Sequence, residues 1–258
     1  GELVELGRAD VALDVLAKKG DWDRLWEVAA AEKATPSIQG KYAIMQCEEL
    51  VRGGREDIDR AVRLLQSRPG PTNDSAINLY KRLARYVLSR SKGGGDSSNS
   101  RGEGKGYDSK GYDSGKNDDN EMAEYAETIA ALRDVLYRAA NQMRTTSGGA
   151  LPSEFQDCLM AVHYQHMYFV CQSIGLNEQA AKCSITLLKY PHTVPQDKAV
   201  YQAGMACKDI RNINLAFMLL NRYVDITEAI DSGDINMLDN TDYQDLDAIP
   251  LGVALPKQ

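Results

Sequence analysis

An all-α fold of stacked helical hairpins is what this sequence predicts, and three observations predict it. The first is a recurring phrase in which a helix-breaking residue stands five positions before a small residue that opens an apolar helix. It reads Gly7 to Ala12, then Gly175 to Ala180, with an echo from Arg211 to Ala216. The last two copies recur close to the period of about 34 residues typical of tetratricopeptide-like hairpins. In such arrays glycine ends one helix where a positive φ is needed, and alanine at the next start lets two backbones approach closely; Gly54 and Ala61 take the same roles in the first half. The second observation is composition: three Phe and eight Pro in 258 residues, with Leu, Ala, Glu and Arg common along the periodic stretches, favour helix over strand. The third is apolar spacing by threes and fours through most of the chain.

In chain order, the first helix runs through Ala12-Leu-Asp-Val-Leu16 to Gly20, and the second opens at Asp21-Trp22. Trp22 and Trp26 stand four apart, hence on one face, and are expected as packing anchors. Pro36 restarts the chain as a helix from Ile38 to Arg52, broken at Gly53-Gly54; Glu56 to Arg68 follows, stopped by Pro69-Gly70-Pro71, and a helix from Ser75 to Ser89 closes the block. From residue 91 to 120 the composition shifts to Gly, Ser, Asp, Asn and Lys, with a tandem Lys105-Gly-Tyr-Asp-Ser109 and Lys110-Gly-Tyr-Asp-Ser114. Such a segment buries no apolar area and is expected to be a disordered loop. Tyr125, Ile129, Leu132, Leu136, Ala139 and Met143 then form the stripe of one long helix. The next helix, Ser153 to Ile174, carries one row of Phe155, Leu159, Val162, His166 and Phe169 and another of Met160, Tyr164, Met167, Tyr168 and Cys171, so it must be covered on two sides. Helices follow over Asn177 to Lys189 and Pro195 to Ile230, the latter broken near Asn212. Beyond Asp231 periodicity ends and aspartates alternate with Leu238, Tyr243, Leu246 and Ile249, an extended acidic tail. The expected organisation is thus a helical-repeat block over 1–90, a low-complexity loop over 91–120, a second tetratricopeptide-like block over 121–230 and an acidic tail over 231–258.

Charge narrows the partners. A net charge of −7 and a pI near 5.1 argue against nucleic acid and anionic lipid. No stretch reaches the 18 or so apolar residues of a membrane span, so no transmembrane segment is expected. The five cysteines are odd in number and lie within helical patterns, which suits free thiols in the reducing cytoplasm. The start at Gly1 without Met and the end at Pro256-Lys-Gln258 lead us to expect part of a longer protein.

Reactive chemistry finds no footing. Cys158, His163, His166 and Cys171 are the one set resembling metal ligands, but on a helix they point in diverging directions with the outer pair about 20 Å apart, beyond one zinc ion with bonds of about 2.0–2.3 Å. There is no Gly-x-Ser-x-Gly elbow, and the glycine run at 102–106 lacks both the spacing of a phosphate loop and a preceding strand. We therefore expect no catalytic residue, no metal and no cofactor. What remains is electrostatic: residues 51–92 hold ten Lys or Arg against four acids, and residues 225–258 hold eight acids against Lys257. The plain reading makes both solvated faces. The sharper one makes Lys81, Arg82, Arg85 and Arg90 a basic docking patch, and Asp239, Asp242, Asp245 and Asp247 an acidic one, for oppositely charged partners.

Three phrases carry a resemblance: Gly20-Asp-Trp-Asp-Arg-Leu-Trp-Glu-Val-Ala29, Ala131-Leu-Arg-Asp-Val-Leu-Tyr137, and Leu220-Asn-Arg-Tyr-Val-Asp-Ile-Thr-Glu-Ala-Ile230 running into Asp242-Tyr-Gln-Asp-Leu-Asp-Ala-Ile-Pro250. With them, and over most of its length apart from 91–120, the chain resembles the C-terminal tetratricopeptide-like region of the intraflagellar transport 172 family. The resemblance implies a non-enzymatic scaffold in the B complex of intraflagellar transport, needed to assemble trains and build cilia and flagella. Its expected partners are other B-complex subunits, with the A complex as a second candidate and kinesin and dynein linked indirectly; its expected places are cytoplasm, cilium and basal body. It offers no catalytic motif to carry over, and this chain departs from the family in its Gly/Ser-rich insertion and in lacking the N-terminal propellers and the small C-terminal domain. A helical-solenoid subunit of a vesicle coat or tethering complex is the alternative, since coats share the propeller-plus-solenoid plan.

Overall fold

The computed structural model describes residues 9–53, 55–68, 70, 72–90, 115–147 and 150–233. Among them regular secondary structure is all helix: α1 (Ala9–Lys19), α2 (Trp22–Ala31), α3 (Pro36–Leu50), α4 (Arg55–Ser67), α5 (Asp74–Leu88), α6 (Gly115–Ser147), α7 (Ser153–Ser173), α8 (Asn177–Leu187), α9 (Gln196–Asp209) and α10 (Ile213–Ser232). Helices adjacent in sequence pack together, α1 on α2, α3 on α4, α8 on α9 and α9 on α10, and α1 also meets α3. This is the pairing expected of stacked hairpins. Gly7, Gly54, the segment 91–114 and the tail aspartates from Asp239 to Asp247 lie outside the described residues. Helix α6 begins at Gly115, six residues inside the stretch that composition assigned to the loop. From Lys116 to Glu127 the sequence holds no Gly or Pro to interrupt a helix.

The hairpin turns share one geometry. Gly20 (φ +72°), Gly175 (φ +75°) and Arg211 (φ +61°) are all left-handed, and each is followed by a residue with φ near −80° and ψ near +70° that opens the next helix. In all three, two hydrogen bonds close the preceding helix: Gly20 N–H to the Ala17 carbonyl and Asp21 N–H to Leu16, Gly175 to Gln172 and Leu176 to Cys171, Arg211 to Lys208 and Asn212 to Cys207. This is the Schellman pattern, in which a left-handed residue satisfies the last carbonyls. Lys33 (φ +50°) closes α2 with the same bond pair, after which the Thr35 hydroxyl accepts from the Ile38 N–H and Pro36 takes the first helical position. Ala12, Ala61, Ala180 and Ala216 are all buried.

The chain divides into two compact units, residues 1–87 with 130–159, and 88–129 with 160–258. In the first, Leu13, Ala17, Leu25, Ala29 and Tyr42 form a core cluster with Trp22, Trp26 and Ile38 packed against it. The tryptophans tie α2 to α3: the Trp22 indole N–H donates to Glu49 Oε2 and that of Trp26 to Gln46 Oε1, both at 2.8 Å, and the Arg68 guanidinium lies 3.8 Å over the Trp26 ring. Arg138 of α6 donates to the Leu65 and Gln66 carbonyls at 3.1 and 2.8 Å, placing a cation on the negative end of α4. Tyr80 meets Phe155 edge to face at 6.3 Å.

In the second unit Tyr125 meets Phe169 edge-on at 5.5 Å, and Gln165 and Gln202 exchange amide hydrogen bonds at 3.1 and 3.3 Å, both buried. Buried Gly204 lets α9 approach α10 so closely that a Cβ there would stand 2.8 Å from Leu220. Of the two rows on α7, Phe155 and Val162 are fully buried, while Met160, Tyr164, Met167 and Tyr168 are half-buried. Tyr164 stacks on Tyr190, centroids 6.3 Å apart.

Candidate interaction surfaces

Among the described residues no group of His, Cys, Asp and Glu could hold a metal ion. Cys158 and Cys171 are buried, with His163 and His166 half-buried. Burial pushes the Cys47 thiol up to about 12 and those of Cys183 and Cys207 to about 11, far from the thiolate a nucleophile needs. No described helix is long and apolar enough to cross a membrane.

The four basic residues singled out near α5 fall into different surroundings. The helix buries Ala76, Leu79, Tyr80, Leu83, Ala84, Val87 and Leu88 and so presents a narrow solvent face, on which Arg82, Arg85 and Tyr86 are exposed. Lys81 is drawn to α7, its Nζ 2.6 Å from Glu154 Oε2. Arg90 lies past the helix end, with Nε and Nη2 out of solvent and its guanidinium 5.8 Å from the Tyr125 ring centroid. The exposed cations of α5 are therefore Arg82 and Arg85, with the Tyr86 ring exposed on the same helix. The acidic counterpart, Asp239 to Asp247, lies outside the described residues.

Two surfaces were not apparent in sequence. On α10 Ile213, Phe217 and Val224 are 61%, 63% and 47% exposed and, at helical spacing, form one apolar stripe. Their periodicity is visible in the chain, but which stripe of an amphipathic helix stays bare depends on its neighbours. The other is a groove of about 310 Å³ between α3 and α4, lined by Gln46, Leu50, Arg60, Arg63, Leu64 and Ser67.

No family model matches the sequence. Curated relatives do. The chain is 33% identical over 261 residues to an intraflagellar transport protein 172 homolog of Mus musculus and 30% identical over 263 residues to one of Danio rerio. To the intraflagellar transport protein 172 of Chlamydomonas reinhardtii it is 27% identical over 257 residues. These alignments take in 99%, 100% and 97% of this chain and 13% of each relative, so the chain spans about an eighth of the length of the proteins it matches.

Proposed function

The chain is related to intraflagellar transport protein 172 along nearly its whole length, and we propose that it is a helical-repeat segment of an intraflagellar transport subunit, acting as a protein-docking scaffold in the assembly of transport trains. The observation that carries the reading is that the alignment extends over 99% of the chain with 33% identity, rather than being confined to a helical-repeat motif common to many proteins. The structure supports it: the helices pack in sequence-adjacent pairs, and α5 and α10 keep exposed side chains on their solvent sides, as suits a scaffold built of stacked hairpins. Docking runs through the solvent faces of the hairpins, with Arg82 and Arg85 meeting acidic surfaces of neighbouring B-complex subunits and the tail aspartates meeting basic ones. Work of this kind places the protein in the cytoplasm, at the basal body and in the cilium. The coat reading is not favoured, since the relatives carry names from intraflagellar transport.

Live imaging of the fluorescently tagged chain in a ciliated cell tests the reading. Processive movement along the cilium in both directions is expected. A uniformly diffuse signal throughout the cell overturns it.

A further inference from the structure

The groove between α3 and α4 is set apart by what lines it. On α4, Arg60, Arg63, Leu64 and Ser67 share one side at spacings of three and four, and on α3 Gln46 and Leu50 face them. Leu50 and Leu64 are half-buried and make an apolar floor, while Arg60 and Arg63 are exposed at the rim. Arg60 is 3.2 Å from Asp57. Among the described residues no carboxylate lies within ion-pair distance of Arg63. Gln46 Oε1 already accepts the Trp26 indole N–H, which fixes the amide and leaves its NH2 group as a donor. The lining holds no acidic residue.

The geometry points to a docking site for an acidic protein segment that carries one apolar side chain: leucine or a residue of similar size on the Leu50–Leu64 floor, flanking carboxylates on Arg63 and Arg60, a backbone carbonyl or carboxylate on the Gln46 amide. Arg60 to Ser67 spans about 10 Å of helix, the reach of about three residues of extended chain at about 3.3 Å each. The recognised element is therefore short, an acid–apolar–acid triplet, with contacts weak enough to serve within an assembly held by many others. Charge complementarity selects the occupant: a basic segment is repelled by both arginines, and a neutral one leaves Arg63 without a partner. This stands on the groove alone, whichever complex the chain serves.

The test is fluorescence anisotropy on the full 258-residue chain at about 0.1 M salt, low enough to leave short-range pairs unscreened. The probe is a fluorescein-labelled Gly-Ser-Glu-Asp-Leu-Glu-Asp-Ser-Gly peptide. Saturable binding is expected, weakened about tenfold by Arg60→Glu with Arg63→Glu, weakened also when the peptide leucine becomes serine, and changed less than about twofold by Lys182→Glu with Lys208→Glu, exposed cations on α8 and α9. Both groove arginines are exposed, and circular dichroism melts confirm that the variants fold. Failure to saturate, equal loss in the Lys182/Lys208 variant, or indifference to the leucine each overturns the assignment; the last two would show general attraction between charges. Because this readout needs no transport subunit, its failure leaves the imaging result untouched, and the reverse.

Discussion

Arg211 holds φ at +61° at the turn between α9 and α10, in the place that Gly175 takes between α7 and α8. A Cβ in this region costs roughly 1–2 kcal/mol, partly offset by the greater freedom glycine has in the unfolded chain. Arg211→Gly is therefore expected to raise stability by up to about 1 kcal/mol, and Gly175→Ala, where a Cβ would meet nothing within 4 Å, to lower it by about 1 kcal/mol through the backbone alone. Urea denaturation measures both, and loss of stability in the arginine variant would show that its side chain outweighs its strain. The glycine turns were legible because glycine is the usual left-handed residue. Arg211 was legible only as a spacing echo, and Lys33 not at all, because nothing in a lysine side chain signals its backbone angle. A second expectation concerns Asp14, whose carboxyl the Lys41 ammonium and then the Tyr42 hydroxyl hold below the usual carboxylate range. Since its folded value lies below the unfolded one, the pairing stabilises above the unfolded pKa of about 3.9 and is lost as pH falls through the folded value. Asp14→Asn should cost about half a kcal/mol at neutral pH, modest because the pair is half exposed, and melting curves of variant and wild type should begin to converge near about pH 4 and meet as pH falls through the lowered folded value.

At the scale of elements, α9 and α10 are held by shape and α9 and α7 by a polar pair. With Leu220 2.8 Å from the place of a Cβ on Gly204, Gly204→Val overpacks the seam and is expected to cost about 2 kcal/mol; an unchanged melting temperature would mean that α10 can slide. Gln202→Leu strands the Gln165 amide, 2% exposed, at about 1–3 kcal/mol, whereas Gln165→Leu with Gln202→Leu recovers most of that. A double variant as unstable as the single one would refute the reciprocal pairing. Helix boundaries were readable where punctuation is strong: Pro36 and the Arg211-Asn212 break stand at the starts of α3 and α10. The start of α6 was not, because its first residues are as polar as the sequence before them and composition alone cannot divide the two. The two glutamines gave no signal either, since their pairing joins residues far apart in the sequence.

For the whole molecule, three phrases were enough to point to a family that the alignments then matched along the chain, because long unusual wordings survive where repeat positions degenerate. The division into two compact units was not readable, since it cuts through α6 and α7 and depends on which helix packs on which. The same limit applied to the basic patch: sequence counted its charges, and only packing separated exposed Arg82 and Arg85 from Lys81 beside Glu154 and from half-buried Arg90. Reversing Arg82 and Arg85 to glutamate should weaken binding to an acidic partner subunit about tenfold without lowering the melting temperature, as titration calorimetry would record; unchanged affinity for every partner would leave that face merely solvated. The claim on which the rest depends is that this chain docks into a transport train. Affinity purification of the tagged chain from ciliary extract at moderate salt, read by mass spectrometry, tests it most directly. Enrichment of intraflagellar transport subunits is the predicted result, and recovery of vesicle-coat proteins or chaperones without them would contradict it.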